Sequence, residues 1–596
     1  MDVNIRTEVL TALSAIAVSG VLLLVLKHLL GRHALDNLPG PPSPSFVKGN
    51  IGQLFNPQAW AFHRHLADNF GGVVKISGMW GDKQLYVSDP KALHHILVQD
   101  QDVYEETDWF IHSNQLTFGP GLLSTVGEQH RRQRKMLNPA FSPRHLADMT
   151  PVFFEVVNKV RDTLQEKVSG GPQEIDMLHW TGRAALELIG QSGLGYSFDD
   201  LGGDSRPSAY SEAVMGLSLA RFKLNIFRRM TPYLVKLGPA RLRRFLVGLI
   251  PSADVQKLCG IVDFMHDTSV GIIASKRAAL ERGDEAVVQQ VGRGGDIMSI
   301  LLKANMRASE DDRLPEEELV GQMTTLIDAA QGTTSAALAR VLHLLAQHSG
   351  VQNNLRREIS EAWQKDGDGD GGLDYNTLGS LPYLDAVVRE TLRLYAPIPL
   401  GHRIARRDTV LPFSKPIAGN DGREMTEVLV PSGTTIEVAI IRANREPAVW
   451  GADAYEWKPE RWLKPLPASV ADAHYPGVYS NMMTFLGGGR SCIGFKFSEL
   501  EIKVVLAVLL KSFAFAESEQ EIRWNMGGVN TSGALARAWP ALALACWSAV
   551  GVGGCVLSGF VASRTRSEDE MLRGHFREVW DQWAEKTRYR VIPGVY

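Results

Sequence analysis

The chain of 596 residues is long for one ordinary domain and has ample mass for a large core. It is 44% hydrophobic and 22% charged with a net charge of −3, a balance that excludes a basic nucleic-acid-binding surface as its organising feature. Its four cysteines, Cys259, Cys492, Cys546 and Cys555, lack CxxC spacing, which argues against a disulfide scaffold or structural zinc site and for a reducing compartment.

Val9 to Leu26 is uncharged for 18 residues, near the lower length limit of a membrane-spanning helix. Lys27, His28, Arg32 and His33 follow, favouring a cytoplasmic C-terminal side. A cleaved signal peptide is the alternative, but no clean small-x-small site follows the run. Residues 1–37 therefore read as an N-terminal membrane anchor. "LPGPP", Leu38 to Pro42, is a stiff extended arm suited to a hinge between anchor and body.

Residues 58–105 alternate strand-like runs ("VVKISG", "KQLYVSD") with turns. From about 130 to 395 long helical patterns dominate, with "ERGDEAVVQQVGRGGD" (281–296) reading as a surface loop. "DGDGDGGLDYNT" begins like a calcium loop, but the position that needs a bidentate glutamate is Thr377, so it reads as a flexible acidic loop. Short strands return near 403–440, and irregular loops run on to 484. The pattern predicts a large, mainly α-helical α+β domain over residues 38–532.

"FLGGGRSCIG", Phe485 to Gly494, fails as a phosphate loop. Cys492 stands where a GxGxxG pattern needs its last glycine, and Phe495 where a Walker pattern needs lysine. As a metal-ligand loop it is coherent. A thiolate on a redox metal needs a shielded sulfur and nearby N–H groups, and glycines allow close backbone approach to a flat cofactor. Arg490 could pair with an acidic group at that cofactor's edge, and Phe485 could cap the sulfur. "FKFSELEIKVVLAVLLKSF" follows with helical spacing, placing Cys492 just ahead of a helix N-terminus, an end that stabilises a thiolate.

The stretch matches the FxxGxRxCxG signature of the cytochrome P450 family, the heme-thiolate monooxygenases, at Phe485, Gly488, Arg490, Cys492 and Gly494. The resemblance implies a cytochrome P450 fold and heme b with Cys492 as the axial iron ligand. "ETLR" places Glu390 and Arg393 three apart on one helix face, and "PERW" supplies Arg461. In the family these form a structural Glu–Arg–Arg cluster behind the cysteine loop.

"GEQHRRQRKMLNPAFS", Gly127 to Ser142, resembles the helix that binds heme propionates, with Arg134 as the arginine and His130 in place of the usual tryptophan. Arg403 matches a further propionate position. The neighbouring Arg131, Arg132 and Lys135 are either solvated or a docking face for an acidic electron donor. "LIDAAQGTTSAALAR" resembles the helix over the oxygen-binding side. There Ala329 and Ala330 hold the small positions and Thr333, with Thr334 beside it, is the catalytic candidate. Gly332 replaces the usual acid, which leaves the proton route open.

The resemblance implies a membrane-bound enzyme that uses O2 and electrons from a separate NADPH-cytochrome P450 reductase to oxidise a lipophilic small molecule. The expected location is the endoplasmic reticulum membrane with the catalytic domain cytosolic. The fungal look of "NREPAVWGADAYEWKPERW" suggests secondary, terpenoid-like metabolism, with a fatty-acid or xenobiotic hydroxylase as alternative. A heme-binding protein with little or no turnover is the other alternative, motivated by Gly332 and the altered C-terminus.

Residues 533–596 form an extra tail. Ala538 to Ala562 is 25 residues without a charge and reads as a second membrane helix. The rest, ending "YRVIPGVY", resembles the end of isoprenylcysteine carboxyl methyltransferases, without an RHPxY-type methyl-donor motif. A fused tail or joined gene model fits this better than a second activity. The hairpin that usually closes the family's substrate pocket is expected to be absent or rebuilt.

Overall fold

A computed structural model describes residues 33–202, 207–283, 295–366, 372–519 and 521–532. Both predicted membrane segments, the methyltransferase-like tail, most of the 281–296 loop and residues 367–371 of the calcium-like stretch lie outside the described residues. Among the described residues, no helix is long and apolar enough to cross a membrane.

The helical body is built around one long helix. We number the helices used below α1 (Asp108–Phe118), α2 (Gly127–Leu137), α3 (Pro143–Lys167), α4 (Met177–Leu188), α5 (Ala209–Lys223), α6 (Asn225–Leu234), α7 (Ala240–Gly248), α8 (Ala253–Arg282), α9 (Glu316–Gln347), α10 (Pro382–Leu394) and α11 (Phe495–Ser512). Three glutamates, Glu316 to Glu318, favour the start of α9 by opposing the positive end of its dipole. α9 packs along α4 and against α11, and α11 packs on α3. Phe153 of α3 meets Phe497 of α11 edge-on at 5.0 Å.

The strands are β1 (Val73–Ser77), β2 (Lys83–Val87), β3 (Tyr104–Glu105), β4 (Gly401–Ala405), β5 (Thr409–Ala418), β6 (Glu424–Val430), β7 (Thr435–Val438), β8 (Trp524–Asn525) and β9 (Thr531–Ser532). A five-stranded sheet runs β1-β2-β7-β4-β3; β2 and β7 pair in parallel, with Leu85 opposite Ile436, and the other neighbours are antiparallel. Strands at one side of a helical body match the expected α+β class. Residues 58–105 hold more than strands, since helices at Trp60–Asn69 and Pro90–His94 interleave with β1 and β2. Asp89 caps the second of these by accepting from the Ala92 N–H at 2.9 Å.

Two expectations need revision. The segment read as a hinge lies fixed on the body: Lys75 N donates to Pro39 O at 3.0 Å, Asn420 N donates to Asn37 O at 2.7 Å, and Leu35 and Leu38 are fully buried. The folded body therefore takes in residues 34–37 as well. A closing hairpin also exists, because β8 pairs with β9 through Trp524 opposite Ser532. Hydrogen bonds from Met526 N to Pro57 O (2.7 Å) and Asn530 N to Pro397 O (2.8 Å) tie it down.

Candidate active site: an internal space between Cys492 and helix α9

The loop before α11 is shaped by its own neighbours. Gly488 has φ +68°, and a Cβ there would fall 1.7 Å from Leu97 O; at Gly487 it would fall 1.9 Å from Pro476 O. Backbone packed against backbone requires glycine at both positions. Beside Gly494 the nearest protein atom to a Cβ would be Phe141 Cε1 at 3.7 Å. Cys492 N donates to Phe485 O at 2.9 Å, closing the loop on itself. The Phe485 ring stands edge-on to Tyr479 at 5.3 Å and 6.0 Å from Phe495.

Burial pushes the Cys492 thiol up, against the downward pull of the Gly494 N–H and Arg134. The same side chain is solvent-accessible. Both hold together where the sulfur faces a void inside the fold. α9 carries the matching signature: from Glu318 to Ala339 every residue is buried except Asp328, Ala329, Ala330, Gly332 and Thr333. One turn of an otherwise enclosed helix is therefore open, at the stretch singled out for oxygen.

Within that turn the Thr333 hydroxyl donates to Ala329 O at 2.7 Å, a local back-bond. Thr334, one residue round the helix, is 2% exposed and lies outside the open patch. Its hydroxyl pulls downward on the carboxyl of Glu501, which burial pushes well above the usual carboxylate range. A Cβ at Gly332 would meet nothing nearer than Ser218 Oγ at 4.0 Å, so the position lacks its acid for no steric reason.

Arg134, Arg403, Arg490 and His130 form one basic rim. The Arg134 guanidinium donates to Ser491 O (2.6 Å) and Ser491 Oγ (3.1 Å), gripping the residue before Cys492. Arg490 donates to Leu122 O at 3.2 Å and to Thr125 O. Arg403 pairs with Glu106 at 2.7 Å, while its second terminal nitrogen is buried with no partner. Burial, then Arg490, Arg134 and Arg403, push His130 down to about 3. A neutral histidine among three guanidiniums, with an orphaned N–H, suits the carboxylates of an acidic cofactor. The other basic residues of α2 are already matched: Arg131 by Glu128, Arg132 by Glu318 at 2.9 Å and Lys135 by Asp312 at 3.6 Å.

Behind the loop, Glu390 and Arg393 are fully buried and doubly bonded, both contacts at 2.8 Å. Arg461 Nε reaches Glu390 at 3.3 Å, and Trp462 Nε1 and the Lys458 N–H complete the carboxylate. Sequence reasoning missed Asn444, which connects this cluster to the cysteine loop. Its carbonyl accepts from Arg393 (2.9 Å), its side chain accepts from Met483 N (2.7 Å) and donates to Thr484 Oγ1 (2.8 Å). The signal available was its place in "NREPAVWG", 51 residues after the arginine it serves.

The comparisons agree with this geometry. The cytochrome P450 family model matches residues 39–530. The chain is 52% identical over 498 residues to Cytochrome P450 monooxygenase 212 of Postia placenta, covering 83% of this chain and 90% of that one. It is 44% identical over 525 residues to Ganoderic acid synthetase CYP5150L8 of Ganoderma lucidum, covering 87% and 95%. The crystal structure of a cytochrome P450, CYP102L1, superposes with a TM-score of 0.63 at 21% identity over 83% of this chain and 97% of that one, a likeness of fold. The chain belongs to the cytochrome P450 family as a monooxygenase, and the cofactor of that family is heme iron with a cysteine thiolate ligand.

Proposed function

We propose that the protein hydroxylates or otherwise oxidises a terpenoid-like lipophile in fungal secondary metabolism, with heme b held between Cys492 and the open turn of α9. The observation that carries this reading is that paired opening, an accessible sulfur deep in the fold and one uncovered turn in a buried helix. The metabolite class draws on the printed name of the Ganoderma relative.

Cys492 would hold the iron, and Arg134, Arg403, Arg490 and His130 would hold the propionates. Bound there, the heme supplies reductive activation of O2 and insertion of one oxygen atom into a substrate C–H bond. The protein's own groups do the rest. Phe485, Tyr479 and Phe495 wall the cysteine loop with apolar surface. Ala329 and Ala330 keep the opposite wall thin. Thr333 is the hydroxyl in the open turn able to position oxygen or water, and without an acid at 332 its proton must come from another group or from water.

Electrons would come from an NADPH-cytochrome P450 reductase, and the enzyme would sit on the endoplasmic reticulum membrane with this body on the cytosolic side. Supporting the membrane part, α6 and α7 expose Phe227, Met230, Tyr233, Phe245 and Leu246 beside the basic Arg241, Arg243 and Arg244. Apolar and basic residues on one surface helix suit a lipid headgroup boundary.

The test is the reduced carbon monoxide difference spectrum of the full chain in membranes. A band near ~450 nm, characteristic of thiolate-ligated heme, is expected, and Cys492→Ala should remove it while Cys259→Ala leaves it. Its absence in the wild type would overturn the reading. Product formed per NADPH with reductase then separates a productive oxygenase from a heme protein with little turnover.

A further inference from the structure

The wall opposite Cys492 is not the apolar surface that a lipophilic substrate alone would require. Asp328, the first residue of the open turn of α9, meets Arg221 of α5 at 3.4 Å. Arg221 also donates to Asn114 Oδ1 of α1 at 2.6 Å and lies over the Phe118 ring at 4.9 Å. On α6, Arg228 donates to Ser113 Oγ at 3.3 Å. The guanidiniums of Arg228 and Arg229 lie over the same indole, Trp109, at 5.5 and 5.3 Å, and Arg229 also lies over Phe55 at 5.4 Å.

The charges are not paired off. Among the described residues the one ion pair in the cluster joins Asp328 to Arg221; Asp328 also acts on Arg228, whereas Arg229 faces Glu437 and then Asp82. Glu437 is 2.6 Å from His402 Nδ1, whose ring contacts the far side of the cluster at Trp109, 5.1 Å away. The Nε atoms of Arg221 and Arg228 are buried without partners. Burial lowers all three arginines, Arg228 to about 9, and raises Asp328. Two like charges on one ring, in an apolar surround, repel each other unless an anion lies between them.

We infer that Arg228 and Arg229, stacked on Trp109, bind the carboxylate of an acidic lipophilic substrate, whose apolar body then extends toward the open turn at Ala329. Asp328 keeps Arg221 occupied, so the anion falls to the outer pair. Planar guanidiniums suit a carboxylate, with Trp109, Phe118 and Phe55 accepting the adjoining hydrocarbon. The inference rests on the pocket being the substrate pocket proposed above, and it narrows that substrate from any lipophile to a lipophilic acid.

The experiment uses the heme-loaded full chain. Equilibrium dialysis and the substrate-induced absorbance shift are measured with abietic, oleanolic and palmitic acids, each beside its methyl ester. Wild type should bind at least one acid about tenfold more tightly than its ester, the scale of one charge-assisted contact. The Arg228→Gln/Arg229→Gln protein should bring that pair close to parity by weakening the acid and leaving the ester unchanged. Equal binding of every acid and its ester by wild type, no binding of any acid, or a preference that survives the double substitution would each overturn the inference. Loss of the ~450 nm band in wild type would instead count against the heme reading, so the two failures are distinguishable. Retention of that band in the double variant shows that its fold is intact.

Discussion

Behind Cys492, buried charge is met by buried charge. Glu390 receives Arg393, Arg461, Trp462 and a backbone N–H, and Arg393 spends its remaining donors on the carbonyls of Asn444 and Ala454. Across the internal space, Asp328 pairs with Arg221 and acts on Arg228, and the Nε–H groups of both arginines are left unmet. The first side offsets the desolvation of its fully buried ions within the chain, and the second leaves part of it unmet. The closed network fixes the position of the sulfur. The open one is where an external molecule gains the most by binding, so the contrast separates scaffold from recognition.

Breaking the closed side should have the largest effect. Arg393→Ala strands a fully buried carboxylate and should cost about 3–5 kcal/mol, read as a collapse of the urea midpoint together with the ~450 nm band. A variant that folds and keeps heme at near wild-type stability would remove the distinction between the two sides.

His63 is a third case, a group that burial favours in its neutral form. Its ring contacts Tyr86 OH at 2.9 Å and Leu54 O at 3.1 Å, and burial lowers it from 6.5 to about 4. Between those values the unfolded chain binds the additional proton. Stability therefore falls as pH drops through that window, by up to about 1.4 kcal/mol per pH unit. Urea midpoints near neutrality and at about pH 5 should converge in His63→Gln.

Three smaller changes at two positions sharpen the comparison on α9 and α11. Gly332→Ala should raise stability by about 0.5–1 kcal/mol through helix propensity, because the site has room for a methyl group. Gly332→Asp should raise product formed per NADPH about several-fold by supplying an acid one residue before Thr333; no gain over Gly332→Ala would show that the proton already arrives from elsewhere. Glu501→Gln should be close to neutral, within about 1 kcal/mol, since burial pushes the Glu501 carboxyl up and disfavours its charged form.

The cysteine side was legible in the sequence because its parts sit at fixed spacings within short motifs: Glu390 and Arg393 on one helix face, Cys492 just before α11. The opposite wall was not. Arg221 and Asp328 are 107 residues apart, and a lone arginine or aspartate on an amphipathic helix reads as a solvated charge until tertiary packing encloses it. Hairpin β8–β9 escaped because two-residue strands carry no usable alternation. The helices among β1 and β2 were missed because "AFHRHLADN" is polar and short, with most of its burial at His63 and Leu66.

The strap at residues 33–42 has a mechanical consequence. Bonded to β1 at Lys75 and to the β5–β6 turn at Asn420, it cannot swing. A tether held through residues 1–32 would pull on the sheet itself, and on the membrane face proposed above α6 and α7 would rest on lipid through their own side chains. Arg229 of α6 stacks on Phe55, only a short stretch of chain beyond the strap, so both points of purchase belong to the same flank of the body. Two fixed supports on one flank act as a mounting bracket, and they would set the angle at which the charged pocket opens toward molecules dissolved in the bilayer.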